Sequence, residues 1–421
     1  MNKMSLLQDL FKGDRVIWIV FALLCLISVV EVFSAASALS YESGNFYEPI
    51  TQHTINLGLG FLVILIFHRL HYRWFRILPV FLLPMSIAML LAVSLMGMLA
   101  ETRVNGAARW LFGFQPSEFA KIGLMMTVAH ILARCQTKDG CSPKAFKPIL
   151  ICSGIILGLI APENASTALL LGTVVFLMMV VACVPKRQLL MLTGSITLVV
   201  TIFVTFIMTV PPSVYKEVPG THRFVTWRNR INDFFNEEEV PAAKFDIEGK
   251  AQEAHSHIAV ATSHIWGKGP GNSTQRDHLA HGYSDFIFAI SIEELGLIGG
   301  GFIVLLYVIL LFRTGRIASR CEKTYPALIA IGSCLMIVLQ ASLHMMVSVG
   351  MFPITGQPLP LVSKGGTSII INCIYIAIML SVSQFGVHSE DDEDTSSNDE
   401  LCLESKETIQ EPKTETITQD K

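Results

Sequence analysis

The chain has 421 residues, 52% of them hydrophobic and only 15% charged, with a mean hydropathy of +0.53. Soluble domains carry roughly 25% charged residues, so this composition excludes an ordinary water-soluble enzyme and indicates a polytopic membrane protein. The formal net charge of −3 hides a division, because twelve Asp/Glu and three Lys from Glu390 onward leave that stretch at −9 and residues 1–389 at +6.

Apolar runs recur at 16–38, 54–68, 76–98, 118–133, 148–161, 166–184, 188–210, 286–312, 325–349 and 367–385. They predict an all-α fold of ten transmembrane helices, with a large loop, 211–285, between the seventh and the eighth. Residues 1–387 form the membrane domain. Residues 388–421 lack apolar periodicity and read as a disordered acidic tail, repelled by an anionic leaflet. Small residues at Ser34–Ser40 resemble a signal-peptide cleavage site. The apolar core before them exceeds the 7–15 residues of a signal peptide, so an uncleaved first helix is expected.

Lys and Arg mark every second loop: Lys3, Lys12 and Arg15; Arg69, Arg73 and Arg76; Arg134, Lys138, Lys144 and Lys147; Lys186 and Arg187; Arg313, Arg316, Arg320 and Lys323. Residues 39–53 and the turn around Pro162 have none. This alternation predicts cytoplasmic termini and places 211–285 outside. The nine cysteines fall in predicted helices (Cys25, Cys152, Cys183, Cys334, Cys373) or on the cytoplasmic side (Cys135, Cys141, Cys321, Cys402), so no disulfide framework is implied.

Four segments carry chemistry. Thr102–Lys121 has Gly106 and Gly113, which mark a bent hairpin, then Pro116 suited to a helix first turn. Glu118 and Lys121 follow at i,i+3 and can pair, while Arg109 and Trp110 suit an interfacial anchor or a phosphate contact. In the long loop, Gly267, Gly269 and Gly271 surround Lys268, so backbone N–H groups can approach an anion, with Lys268 and Arg276 as countercharge. A nucleotide P-loop is excluded by the absent GxxxxGK[ST] pattern. Six of the twelve histidines lie in this loop without compact ligand spacing, so no zinc site is expected.

His281–Gly296 places Asp285 where the loop meets the eighth helix and carries Glu293 and Glu294 into that helix. Ionisable groups at such depth are rare without a function. Continuous helix would put Glu293 about 12 Å deeper than Asp285. That depth suits Glu293 and Glu294 to structural ion pairs with a neighbouring helix. Residues 350–368, rich in Pro and Gly, must line a cavity or be buried in protein, with Lys364 as a second anion contact.

Together these segments resemble the SEDS family (shape, elongation, division and sporulation) from the first helix to about Gln384. NGAARWL with FQPSEFAK is similar to NGxxRWI…QPSExxK; SHIAVATSHIWGKGPGNSTQ to AIxxGGxxGxGxGxSxQ; SDFIFAISIEELG to TDFIFAxxxEEG; and PITGQPLPLVSKGGTS to PxTGxxLPFxSYGGSS. The resemblance implies a peptidoglycan glycosyltransferase of the bacterial cytoplasmic membrane. It would polymerise lipid II at the outer face, with a class B penicillin-binding protein and other division proteins as partners and no nucleic acid. Asp285 falls on the family's essential Asp and is expected as catalytic base. Arg109, Glu118, Lys121, Gln252, Lys268 and Ser363 are expected as substrate contacts. The chemistry leaves room for a divalent cation (Mg or Mn), although no ligand cluster requires one. The GNSTQ run is more similar to the FtsW-like division branch than to the RodA-like elongation branch.

The chain departs from the family pattern in several places. Ala280, His281, Gly282, Tyr283 and Ser284 replace Pro-Glu-Ala-His-Thr, so a second acidic residue becomes His281. Ala161–Thr167 keeps an acid as Glu163 where QPDLGT is usual. His344 stands for Asn, and Lys364 for Tyr. Two rival readings remain, a lipid II flippase and a non-catalytic divisome scaffold.

Overall fold

A computed structural model describes residues 11–35, 48–99, 114–138, 140–209, 227–228, 251–279 and 282–386. Arg109, Trp110, His281, most of the loop 211–250 and the acidic tail lie outside the described residues.

Within them the chain forms eleven α-helices: α1 Arg15–Ala35, α2 Glu48–Phe67, α3 Leu78–Leu99, α4 Pro116–Arg134, α5 Phe146–Ile160, α6 Ala165–Val181, α7 Lys186–Thr209, α8 Ala251–Ala261, α9 Ile287–Ser319, α10 Thr324–Ser348 and α11 Thr367–Phe385. A two-residue antiparallel ribbon, β1 Gln136–Thr137 with β2 Gly140–Cys141, follows α4. Among the described residues, eight helices are long and apolar enough to cross a membrane, α5 together with the 3-10 turn Pro143–Ala145 that leads into it. α6 has 17 residues, and α4 carries Glu118, Lys121 and His130, so these two fall outside that group. Each of the ten apolar runs coincides with one helix, and α8 arises inside the segment read as loop.

Local sequence explains several helix ends. α4 opens on Pro116, whose missing N–H is no loss in a first turn. Asn164 caps α6, its side chain accepting from Thr167 N at 3.1 Å. Asp14 caps α1, Oδ1 accepting from Val16 N (2.9 Å) and Ile17 N (3.2 Å). Cys183, expected in a helix, lies in the turn after α6 with φ of 56°.

α10 and α11 are the most enclosed spans. α10 packs on α4, α6, α9 and α11; α11 also packs on α2, and α1 lies against α9 and α2. α7 stands at the periphery with Ile207 as its one buried residue. Its exposed apolar side chains (Leu190, Val199, Ile202) suit lipid rather than water.

The eighth apolar run corrects one expectation. α9 is two helices joined at Gly296, whose φ of 74° and ψ of −177° are non-helical and accessible essentially only to glycine. The first part, Ile287–Glu294, is buried at every position, whereas Leu297, Ile298, Phe302 and Leu305 beyond the break are exposed. Glu293 and Glu294 therefore sit at a break beside the loop, not in the interior of a continuous span.

Candidate functional site

The break at Gly296 receives the glycine-rich loop that precedes α9. Lys268 N donates to Glu293 O (3.0 Å) and Gly269 N to Glu294 O (2.8 Å), while Leu297 N donates to His264 O (3.2 Å). A Cβ on Gly267 would collide with the Glu294 carbonyl, and one on Gly296 with the Ile265 carbonyl. Two glycines thus let the two backbones touch.

The glutamate side chains complete this dock. Glu293 accepts from Lys268 Nζ (2.5 Å), Ser273 Oγ (2.5 Å), Thr274 N (3.1 Å) and Thr274 Oγ1 (2.8 Å). Glu294 accepts from Gly271 N (2.9 Å), Ser273 N (3.2 Å) and Ser34 Oγ of α1. Arg276 Nη1 in turn donates to Ser34 Oγ (3.0 Å). The anion that the loop amides and Lys268 approach is therefore the protein's own pair of carboxylates. The expected helix-to-helix ion pairs are replaced by loop-to-helix contacts, because the break at Gly296 leaves room for a loop where a neighbouring helix was expected.

A second dock is built by the segment between α10 and α11. Its carbonyls are accepted into the bundle one after another. Gln357 O meets His344 Nδ1 (2.8 Å), Pro358 O takes Gln340 Nε2 (2.9 Å), Pro360 O takes Tyr307 Oη (2.6 Å) and Val362 O takes Ser28 Oγ (2.7 Å). Gln357 Nε2 donates to Thr167 Oγ1 of α6 (2.6 Å). Irregular backbone at membrane depth is tolerable when protein satisfies it in this way.

Asp285 lies beside the second dock. Ser363 Oγ donates to Ser284 O (2.7 Å), and Lys364 N donates to Tyr283 O (3.0 Å), so the α10–α11 segment fixes the turn that carries Asp285. Ser284 Oγ donates to Asp285 Oδ1 at 3.0 Å, and a Cβ on Gly356 would lie 3.6 Å from Oδ2. Asp285 is half-buried and makes no ion pair among the described residues.

The other expected site residues are placed differently. Lys121 is buried, paired with Glu118 at 2.8 Å and donating to Gln340 Oε1 at 3.0 Å. Through Gln340 it joins the network under the α10–α11 segment. Gln252 lies in the first turn of α8, with no hydrogen bond or ion pair to Asp285 among the described residues. Lys364 Nζ sits 5.3 Å from the Tyr283 ring centroid. Sequence reading missed Glu31 of α1, wholly buried, with neither carboxylate oxygen hydrogen-bonded among the described residues. It also missed Gln340 and Tyr307. Polar or ionisable side chains inside apolar runs were the available signal.

The FTSW_RODA_SPOVE family model, described as "Cell cycle protein", matches residues 14–388. The chain belongs to this family. Two relatives named "Probable peptidoglycan glycosyltransferase FtsW" are similar over most of their length. The one from Nitrosomonas europaea is 31% identical over 370 residues, covering 85% of this chain and 89% of the relative. The one from Trichlorobacter lovleyi is 29% identical over 383 residues, covering 89% and 94%. "Stage V sporulation protein E" of Bacillus subtilis is 27% identical, covering 88% and 97%. Among solved structures, a peptidoglycan synthase complex described as coordinating polymerization and crosslinking has a chain of the same fold. It aligns with a TM-score of 0.68 at 23% identity, covering 89% of this chain and 98% of that one. The rod-shape-determining protein RodA of Thermus thermophilus aligns at 0.61 and 20%, covering 90% and 100%. As a member of the FtsW/RodA/SpoVE family, this chain is a multi-pass membrane protein.

Proposed function

We propose that this chain is a peptidoglycan glycosyltransferase of the FtsW-like division branch, polymerising lipid II at the outer face of the cytoplasmic membrane. Family membership and the names of its relatives support the reaction class. The alternation of basic loops supports ten spans, cytoplasmic termini and an outer position for 211–285. A crosslinking partner, a class B penicillin-binding protein, is supported by the fold's occurrence in a polymerising and crosslinking complex.

One observation carries the mechanism: Glu118, Glu293 and Glu294 are tied to partners and Glu31 is sealed, whereas Asp285 is half-buried, makes no ion pair among the described residues and has its Oδ2 beside Gly356 of the docked α10–α11 segment. In the reaction an acceptor sugar hydroxyl attacks the anomeric carbon of a lipid-linked donor. A C–O bond forms, the bond to pyrophosphate breaks, and undecaprenyl pyrophosphate leaves. Asp285 accepts the hydroxyl proton as the nucleophile commits. Arg109 is assigned to the pyrophosphate. Lys121, Glu118 and Ser363 position the segment facing Asp285, and Lys268 with Glu293 and Glu294 holds α9 so that Asp285 is presented. Among the described residues no three His, Cys, Asp or Glu side chains form a metal-binding group.

Polymerisation of lipid II by purified protein in detergent tests this. Asp285→Asn and Asp285→Ala are expected to lose at least about a hundredfold in rate, with thermal stability unchanged. Full activity in both variants overturns the assignment. Because detergent has no sidedness, glycan synthesis there also excludes a purely flipping role.

A further inference from the structure

At the end of the bundle remote from Asp285, a cavity of about 440 Å³ lies between the start of α1 and the ends of α9 and α11. Its lining includes Asp14, Arg15, Arg313, Arg316, Arg320 and Gln384. The positions 313, 316 and 320 are spaced to share one face of α9, and Arg15 comes from the first turn of α1. Among the described residues, four guanidiniums therefore converge on one space containing a single carboxylate.

That carboxylate is already used. Asp14 Oδ2 accepts from Arg313 Nε at 2.6 Å, while its Oδ1 caps α1. Arg15, Arg316 and Arg320 are exposed and have no ion-pair partner among the described residues. Basic residues at a helix end follow from membrane orientation alone. Orientation does not require them to gather around a cavity from two separate helices. Guanidinium forks match phosphate oxygens bidentately, and basic pockets between membrane helices suit phosphate headgroups.

The surface below the cavity argues for a lipid over a soluble phosphate. Four and eight residues before Arg316 on the same stripe come Phe312, 74% exposed, and Val308, 51% exposed; four after Arg15 comes Ile19, 58% exposed. Charged heads thus sit directly above apolar side chains on both helices, the pattern of a phosphate with acyl chains attached. We propose that this cavity is a binding site for an anionic phospholipid, with Arg15, Arg316 and Arg320 holding the headgroup phosphate.

The test uses the full-length chain in detergent, titrated with phosphatidylglycerol or with phosphatidylethanolamine of the same acyl chains, and read by native mass spectrometry. Phosphatidylglycerol is expected to bind preferentially. Arg316→Gln/Arg320→Gln should bind it roughly thirtyfold more weakly, and Arg316→Lys/Arg320→Lys, which keeps the charge but not the fork, should recover only part of the affinity. Both positions are exposed, and the Asp14–Arg313 pair stays intact, so folding is preserved. Equal binding of the two lipids, or unchanged affinity in the Gln variant, overturns the proposal. Displacement of phosphatidylglycerol by millimolar inorganic phosphate overturns the lipid assignment in favour of a soluble anion.

Discussion

Glu118 and Lys121 show how one residue pair serves architecture at membrane depth. Their i,i+3 spacing is visible in the sequence, but both side chains are buried, and Lys121 also reaches Gln340, 219 residues away. Removing one member of such a pair leaves an uncompensated buried charge, which costs about 3–5 kcal/mol. Lys121→Met is therefore expected to lower the thermal midpoint strongly, measured by scanning fluorimetry in detergent. Glu118→Gln/Lys121→Met should recover much of that loss, because no lone charge remains. A double variant as unstable as the single one would show that Lys121 acts chiefly through Gln340.

At the scale of elements, the break in α9 couples the glycine-rich loop to the start of the helix that follows Asp285. Gly296 adopts a backbone conformation that other residues reach at a cost of order 1–3 kcal/mol, and its Cβ would also meet the Ile265 carbonyl. Gly296→Ala should undock residues 264–275. Hydrogen exchange at Lys268 and Gly269, whose amides donate across the break, is expected to accelerate, with exchange in α10 and α11 unchanged. Uniform acceleration through the bundle would mean that the break supports global stability instead. Ser363→Ala removes both the acceptor of Leu359 N and the donor to Ser284 O. It is expected to lower polymerisation with a smaller effect on stability, about 1–3 kcal/mol for the buried groups left unpaired.

For the whole molecule, the end remote from Asp285 is closed by Asp14, which caps α1, pairs with Arg313 of α9 and donates its N–H to Ser383 Oγ of α11 at 2.9 Å. Three helices distant in sequence meet at one residue. Asp14→Ala retains the backbone bond but loses the cap and the pair. With Arg313 about one-third exposed, the pair adds no more than about 1 kcal/mol to a cap worth roughly 1 kcal/mol. A modest fall in thermal midpoint, with glycan synthesis per folded molecule preserved, is the expected result. Collapse of expression would indicate that the three-helix junction is required for insertion.

The sequence alone determined the positions of the ten apolar helices, the place of Asp285 at a loop-to-helix junction and the i,i+3 pair in α4, because hydropathy and helical spacing are local properties of the chain. The partners of Glu293 and Glu294 were not legible there. They depend on Gly296 breaking α9, and a glycine in an apolar run reads equally well as an ordinary helix residue. Nor could spacing reveal that Gln340, His344, Tyr307 and Ser28 each bind one carbonyl of the segment opposite Asp285. Tertiary structure decided which acids are committed to partners, since that depends on donors brought together from segments up to 299 residues apart.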